Sequence, residues 1–428
     1  MSKAANINTN PVEADNCGGV HATHALSVSQ AQKFILDSCA PVAGTESLAL
    51  RAALERVLAE DVLSPVDVPA HTNSAMDGYA FRAADLSRTG GEELRLIGTT
   101  LAGHPFVDEV NAGECVRVMT GSPIPDGTDT VVMQENVEVR GSMVQIKKEP
   151  VAGENVRLAG EDLKRGSVVL DTGTRIRPPS LGLLASVGRA EVTVYRRPRV
   201  AFFSTGDELR SVGQALEPGQ IYDSNRYTLY GMLQRIGVEI LDMGVVRDDR
   251  TAIEKAFTDA SENADVVITS GGVSVGDADF VKETLQKLGE VGFWQIAMKP
   301  GRPLAFGRIN DALFFGLPGN PVSVMVTFYQ FVAPALHRLM GEKDVQAVPF
   351  IRVPSITPLH KRPGRTEYQR AILEPDNNGG LVVRSTGSQG SGVLRSMNQA
   401  NCFIVLDRDS GNVESGTWVN VQPFFGIM

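Results

Sequence analysis

The chain of 428 residues is 42% hydrophobic and 21% charged, so it has apolar material for more than one core, and length alone suggests roughly two to four domains. Its 41 basic and 50 acidic side chains give a net charge of −9, and no Lys/Arg-rich run stands out. That argues against a broad nucleic-acid surface and leaves room for a local basic pocket.

Residues 1–26 read as a tail without a secretory signal, and the close pair His21 and His24 falls in this polar stretch. Ser27 predicts a helix start with Gln30 as its capping-box partner, and a second short helix is expected around 52–59. From 69 to 160, Gly and Pro punctuate β-type runs at 94–97, 115–119, 130–133 and 143–146, predicting a β-rich domain. Residues 161–198, with a small-residue helix at 181–187, are expected to join 27–68 in an N-terminal elongated α/β region.

Residues 199–345 alternate buried runs with amphipathic helices. Runs at 200–204, 238–246, 266–269 and 313–317 read as strands. Leu229, Met232, Leu233 and Ile236 mark one helix. Ile253, Ala256, Phe257 and Ala260 mark the next, and Val281, Leu285 and Leu288 a third. A long helix opens at Asn320-Pro321, and its stretch 322–340 is too polar-interrupted for a membrane span. The alternation predicts a parallel sheet covered on both faces. From 346 to the end no helical period appears, and short runs between Gly/Asn/Asp turns predict a small β-sandwich or barrel. The fold class is therefore multidomain α/β with β-rich and C-terminal β-domains. Cys17, Cys39, Cys115 and Cys402 form no CxxC pair, and a reducing cytoplasm fits.

Ligands of an open parallel sheet bind beyond the carboxyl ends of its strands. Three such ends carry unusual loops: Ser204-Thr205-Gly206-Asp207-Glu208, residues 270–279 (SGGVSVGDAD), and Leu317-Pro318-Gly319-Asn320-Pro321. Glycines there bare N–H groups, and hydroxyls of Ser270 and Ser274 add donors, a combination suited to phosphate or pyrophosphate. The loops match neither GxxxxGK[ST] nor GxGxxG. Glu208, Asp248, Asp249, Asp277 and Asp279 offer oxygens for Mg²⁺. Capping is the preferred reading of Asp249 and an open alternative for Asp277. Lys299-Pro300-Gly301-Arg302-Pro303 holds two cations on a Pro-bracketed turn suited to an anion, with a surface hairpin as the alternative.

SGGVSVGDAD (270–279), KPGRPLAFG (299–307) and GLPGNPVS (316–323), in this order, resemble the molybdopterin molybdenumtransferase family, the MoeA type related to the E domain of gephyrin. NSAMDGYA (73–80), RVMTGSPIPDG (117–127), AGEDLKRG (159–166), FFSTGDEL (202–209), PGRTEYQRA (363–371) and residues 401–421 resemble family motifs too. The resemblance covers about 27–428. It implies four domains and a homodimer whose site combines the α/β domain of one subunit with the β-rich domain of the other. It implies an enzyme that takes molybdate and adenylylated molybdopterin and yields molybdenum cofactor and AMP.

Carried over by motif, the catalytic set is Asp77, Thr120, Asp162, Glu208, Asp248, Asp279 and Lys299, with Glu208, Asp248 and Asp279 as Mg²⁺ ligands. The binding set is Ser270, Gly271, Gly272, Ser274, Gly276, Arg302, Pro318, Gly319, Asn320 and Pro321. Each has a plainer reading as a turn, cap or loop-shaping residue. One departure is Gln295, which stands where the family often has a lysine, and Arg302 is the candidate to compensate. Molybdopterin adenylyltransferase and molybdoenzyme-maturation proteins are implied partners, in the cytoplasm, with neither nucleic acid nor membrane. Two other readings are an adenylyltransferase acting on molybdopterin with ATP, and a non-catalytic cofactor carrier or scaffold.

Overall fold

The computed structural model describes residues 25–86, 93–148, 151–271, 280–345 and 348–424. It divides into two compact units: Met1–Glu46, Glu55–Val57 and Tyr195–Met428 form the first, and Ser47–Leu54 with Leu58–Val194 the second. Among the described residues no helix is long and apolar enough to cross a membrane.

Helix α1 spans Val28–Asp37. The expected capping box is present, with Ser27 N–H donating to Gln30 Oε1 at 2.9 Å and Gln30 N–H to Ser27 Oγ at 3.2 Å. Its buried face, Val28, Ala31 and Ile35, belongs to the core of the first unit. Leu26, assigned to the tail on sequence, is fixed by bonds to Gln295 and Ala297, while residues 1–24 lie outside the described range. The helix expected over 52–59 is absent. A short 3₁₀ turn, Leu50–Ala53, ends before Glu55 at φ 64°, and the chain continues extended. There Leu58 N–H donates to Thr174 O and Ala59 N–H to Thr193 O. The left-handed residue stops the helix, and the apolar Leu58 is buried by strand pairing instead.

In the second unit, strands β1 (Gly78–Phe81), β2 (Glu93–Thr100), β3 (Glu114–Val118), β4 (Thr130–Met133), β5 (Val137–Arg140) and β6 (Met143–Ile146) form a sheet of order β4-β1-β3-β2-β6-β5. Only the β2–β3 pair is parallel. Its core holds Tyr79, Phe81, Leu94, Cys115, Val132 and Val144. Helix α2 (Pro178–Ser186) packs Leu184 into a separate cluster with Leu58, Ile176 and Val194.

The first unit is built on β7 (Arg199–Thr205), helix α3 (Ser224–Ile236), β8 (Glu239–Val246), α4 (Arg250–Asn263), β9 (Val266–Ser270), α5 (Phe280–Leu288), β10 (Gly289–Gln295), β11 (Met298–Lys299), β12 (Pro303–Ile309) and β13 (Ala312–Leu317). The sheet order is β8-β7-β9-β13-β12-β10. The four strands β8, β7, β9 and β13 are parallel as expected, and β12 and β10 extend the sheet antiparallel. Strand–helix alternation does not announce those two, because no helix separates β12 from β13. Residues of β7 alternate between two cores: Val200 and Phe202 join Leu229 and Leu233 on the α3 face, and Ala201 and Phe203 join Ile253, Phe257 and Leu285 on the α4–α5 face. The stretch 200–203, covered on both sides, is therefore apolar at every position.

Pro321 opens helix α6 (Pro321–Thr327), which passes through a π turn at Phe328–Val332 into α7 (Ala333–Leu339). Pro334 has no N–H for the Gln330 carbonyl, which instead accepts from Gln32 Nε2 at 3.1 Å. Beyond it lie β14 (Ile351–Pro354), β15 (Thr366–Pro375), β16 (Leu381–Ser385), α8 (Leu394–Gln399), β17 (Cys402–Leu406) and β18 (Trp418–Pro423). They form a sheet of order β11-β15-β17-β18-β14, with β16 on β15. Ser355 bridges to Val383 beside β14, closing the small barrel. Two features were not expected from sequence. One is the short helix α8, only six residues long, too brief to show a period. The other is the joining of Met298–Lys299 to this sheet.

Candidate functional site

The second unit holds the first acidic set. Asp77 follows the short strand Asn73–Ser74 and precedes β1, and Thr120 follows β3. Asp77 Oδ1 accepts from Thr120 N–H at 2.7 Å and from Thr120 Oγ1 at 2.9 Å. These two bonds, backbone first, hold the Asp77 carboxyl below its ordinary value. Strand pairing thus joins two residues 43 apart in sequence. Asp162 is exposed, with its N–H on Val68 O at 3.0 Å. The pairing Val68↔Leu163 fixes it on a neighbouring extended segment.

The first unit gathers the other candidates at the carboxyl ends of β7, β9 and β13. Glu208 follows β7 on an exposed turn beside Asp207, whose Oδ1 accepts from Asp248 N–H at 3.3 Å. Burial first, then the like charges of Asp207 and Glu208, push the Asp248 carboxyl above its ordinary value. Asp249 caps α4 through Ala252 N–H at 2.9 Å, the role preferred on sequence. Asp207 stands inside the loop motif without a mark of its own in the sequence, and its contact with Asp248 reveals it.

Ser270 ends β9 and is 2% exposed. Gly271 has φ +92°, and a Cβ there would lie 2.8 Å from Thr205 O, so the loops after β7 and β9 approach as only glycine permits. Gly271 N–H donates to Leu317 O at 3.2 Å, joining the loop after β13. Pro318 is buried, Gly319 and Asn320 are exposed, and Asn320 caps α6 without a side-chain bond. Gly272, Ser274, Gly276, Asp277 and Asp279 lie outside the described residues. Among the described residues no three His, Cys, Asp or Glu side chains converge as a metal cluster.

The cationic turn lies against the same helix. Gly301, at φ +95°, approaches α6 so closely that a Cβ would sit 2.5 Å from Thr327 Oγ1. Lys299 Nζ pairs with Glu367 Oε1 at 3.2 Å, and Glu367 Oε2 accepts from Gln369 Nε2 at 3.1 Å. The β11–β15 register, Lys299↔Glu367, sets this pair. Arg302 donates to Gln295 Oε1 at 2.7 Å. The residue that departs from the family pattern therefore orients the second cation. Cys39, Cys115 and Cys402 are buried with thiols pushed up to about 12 by burial, so they are poor nucleophiles.

Comparison with known proteins accounts for almost the whole described chain. Residues 26–188 match the family described as MoeA N-terminal region (domain I and II), 201–338 a probable molybdopterin binding domain, and 352–424 the MoeA C-terminal region (domain IV). A molybdopterin molybdenumtransferase of Haemophilus influenzae is 45% identical over 400 residues, covering 93% of this chain and 98% of its own.

The chain belongs to the molybdopterin molybdenumtransferase family.

Another member, from Bacillus subtilis, is 37% identical over 390 residues, 88% of this chain and 89% of its own. The MoeA crystal structure from Pyrococcus horikoshii OT3 superposes with a TM-score of 0.78 at 29% identity, covering 94% of this chain and 100% of that one. The family's multidomain α/β architecture is thus the one described above.

Proposed function

We propose that the protein is a molybdopterin molybdenumtransferase, which joins molybdate to adenylylated molybdopterin and releases AMP. The observation that supports this most is the grouping, at one end of the β8-β7-β9-β13 sheet, of tight glycine turns, the acids Asp207, Glu208 and Asp248, and a Lys/Arg turn packed on α6. It comes in a chain matched along its length by that family.

The substrates are both anions, so repulsion is the main barrier to bringing them together. N–H groups of the glycine-rich loop that follows Gly271 would bind pyrophosphate oxygens without adding charge, on a base set by the Gly271–Leu317 and Asn225–Ser270 bonds. Lys299 and Arg302 would attract molybdate, each held in place, by Glu367 and Gln295. The Asp77–Thr120 pair and Asp162 would orient the reacting groups from the other acidic set. Asp248 feels the like charges of Asp207 and Glu208, and carboxylate oxygens are the donors a hard divalent cation takes, although among the described residues these acids do not form a ready-made cluster. Glu208 and Asp248, with Asp279, would hold Mg²⁺. When bound, Mg²⁺ supplies charge neutralisation at phosphate oxygens. Cleavage of the phosphoanhydride between pterin phosphate and AMP then makes insertion irreversible.

The proposal includes a homodimer in the cytoplasm, supplied by molybdopterin adenylyltransferase and emptied by molybdoenzyme-maturation proteins. Incubation of the purified protein with adenylylated molybdopterin, molybdate and Mg²⁺ should give cofactor that activates an apo-molybdoenzyme. Chelation of Mg²⁺ should stop it, and full activity in excess chelator contradicts the metal assignment. Asp77→Ala and Glu208→Ala proteins, each inactive, should regain activity when their subunits are exchanged, and failure to do so contradicts a site shared between subunits.

A further inference from the structure

Asp223 and Asn225 open α3, and neither belongs to the residues assigned above. Asp223 Oδ1 caps the helix, accepting from Arg226 N–H at 3.1 Å. The residue is 2% exposed, and its Oδ2 is buried without a partner among the described residues. Two positions on, Asn225 Nδ2 donates to Ser270 Oγ at 2.9 Å and to Gly319 O at 2.7 Å. A carbonyl oxygen only accepts, so the amide orientation is fixed by Gly319. Asn225 Oδ1 therefore points away from both loops' bonds, and it too is buried without a donor among the described residues.

The position of this pair ties it to the site. Ile221 N–H donates to Glu208 O at 2.9 Å and Asp223 N–H to Arg210 O at 3.1 Å, so Asp223 lies alongside the loop after β7. Asn225 bridges the loops after β9 and β13. Nearby strand ends carry more buried hydroxyls without partners among the described residues: Ser204 and Thr205 on β7, and Thr269 on β9. Buried acceptors left without donors are costly, and a bound ligand is one source of the missing donor.

We infer that Asp223 and Asn225 form a subsite that accepts hydrogen bonds from an uncharged N–H or O–H group of the substrate, next to its pyrophosphate. The inference rests on the phosphate-loop reading above. A carboxylate oxygen repels a phosphate, so Asp223 Oδ2 meets a donor and not the pyrophosphate itself. One carboxylate and one amide oxygen are also a poor set for a divalent cation, which favours several charged oxygens. Donors of the required kind occur in the ribose hydroxyls and adenine amine of an adenylate, and in the ring N–H and amine of a pterin. The subsite thus reads the organic part of the substrate, while the loops grip its anionic part.

The test is binding of AMP, molybdopterin and inorganic pyrophosphate to the full-length wild type and to Asp223→Asn, which keeps an oxygen for the helix cap. Asp223→Asn should weaken either AMP or molybdopterin by at least about tenfold, the worth of one charge-assisted hydrogen bond, and leave pyrophosphate unchanged. Loss on AMP assigns the donor to the nucleotide, and loss on molybdopterin assigns it to the pterin. Unchanged affinity for both overturns the subsite, and so does an equal loss on pyrophosphate, which would mean that the loops themselves had shifted. Asn225→Asp, which retains the oxygen but removes the two donors, should weaken all three ligands, and unchanged pyrophosphate binding contradicts the bridge. A wild type that binds no pyrophosphate contradicts the phosphate-loop reading separately, because the AMP and molybdopterin arms still decide on Asp223.

Discussion

Asp77 and Thr120 show how strand pairing turns two turn residues into one hydrogen-bonded pair. With two donors on one carboxylate oxygen, Asp77 stays ionised below the usual carboxylate range. Thr120→Val removes the hydroxyl bond and should raise the Asp77 pKa, read by NMR titration, while the backbone bond keeps it from returning fully to its ordinary value. An unchanged titration would show that the hydroxyl does nothing for the charge. Asp265 gives a structural counterpart. Burial alone would raise its carboxyl, but the two-pronged bond to Arg196 at 2.8 and 2.7 Å and the Arg199 N–H at 2.7 Å outweigh burial and lower it. A depressed acid stabilises the fold above its unfolded pKa, and that contribution is lost as pH falls through the folded value. Asp265→Asn should therefore cost about 1–3 kcal/mol near neutral pH, and the gap from wild type should close in acid, as followed by urea unfolding at a series of pH values. At this scale the sequence shows which residue types are present, and motif order singles out Asp77, Thr120 and Lys299. It does not show Asp223, Asn225 or Glu367: the amide and the strand carboxylate gain their meaning from partners 45 to 94 residues away, and the helix cap from the burial of its second oxygen.

Among elements, the cationic turn between β11 and β12 depends on two neighbours at once. Gly301 lets it lie against α6, and β11 pairs with β15 so that Lys299 meets a carboxylate that is 3% exposed. Glu367→Gln should free Lys299 and raise the molybdate concentration needed for half-maximal activity several-fold, with a smaller change in kcat. If Lys299→Ala alone has that effect and Glu367→Gln has none, the ion pair does not position the lysine. The central parallel strands β7, β9 and β13 were legible because burial on both faces makes their runs mostly apolar, and the helices because their apolar residues repeat at three and four. The antiparallel pair β12 and β10 was hidden, since alternation with helices is the signal for parallel strands and these two lack it. The missing helix at 52–59 has the opposite cause: apolar residues at 53, 57 and 58 fit a helix, but Glu55 takes a left-handed conformation and the chain pairs as a strand.

For the whole molecule, each of the two units has cores of its own, so each should melt as a cooperative body. A fragment of residues 47–194 should fold alone into a β-rich protein with a sharp thermal transition in circular dichroism, and a broad, non-cooperative loss would contradict its independence. The barrel at the C-terminal end was expected from turn-separated runs, but its sixth strand, β11, comes from about fifty residues earlier than β14 and left no mark in the local pattern. What the sequence could convey about activity came from the order of many short motifs, each ambiguous alone, and the structure now places several of them on adjoining loops. The central claim is molybdate-dependent cleavage of a pyrophosphate bond, and its most direct test is AMP release from adenylylated molybdopterin in a single turnover. The account predicts stoichiometric AMP when molybdate and Mg²⁺ are present and little when molybdate is withheld. No AMP under any condition, or AMP at the same rate without molybdate, would contradict it.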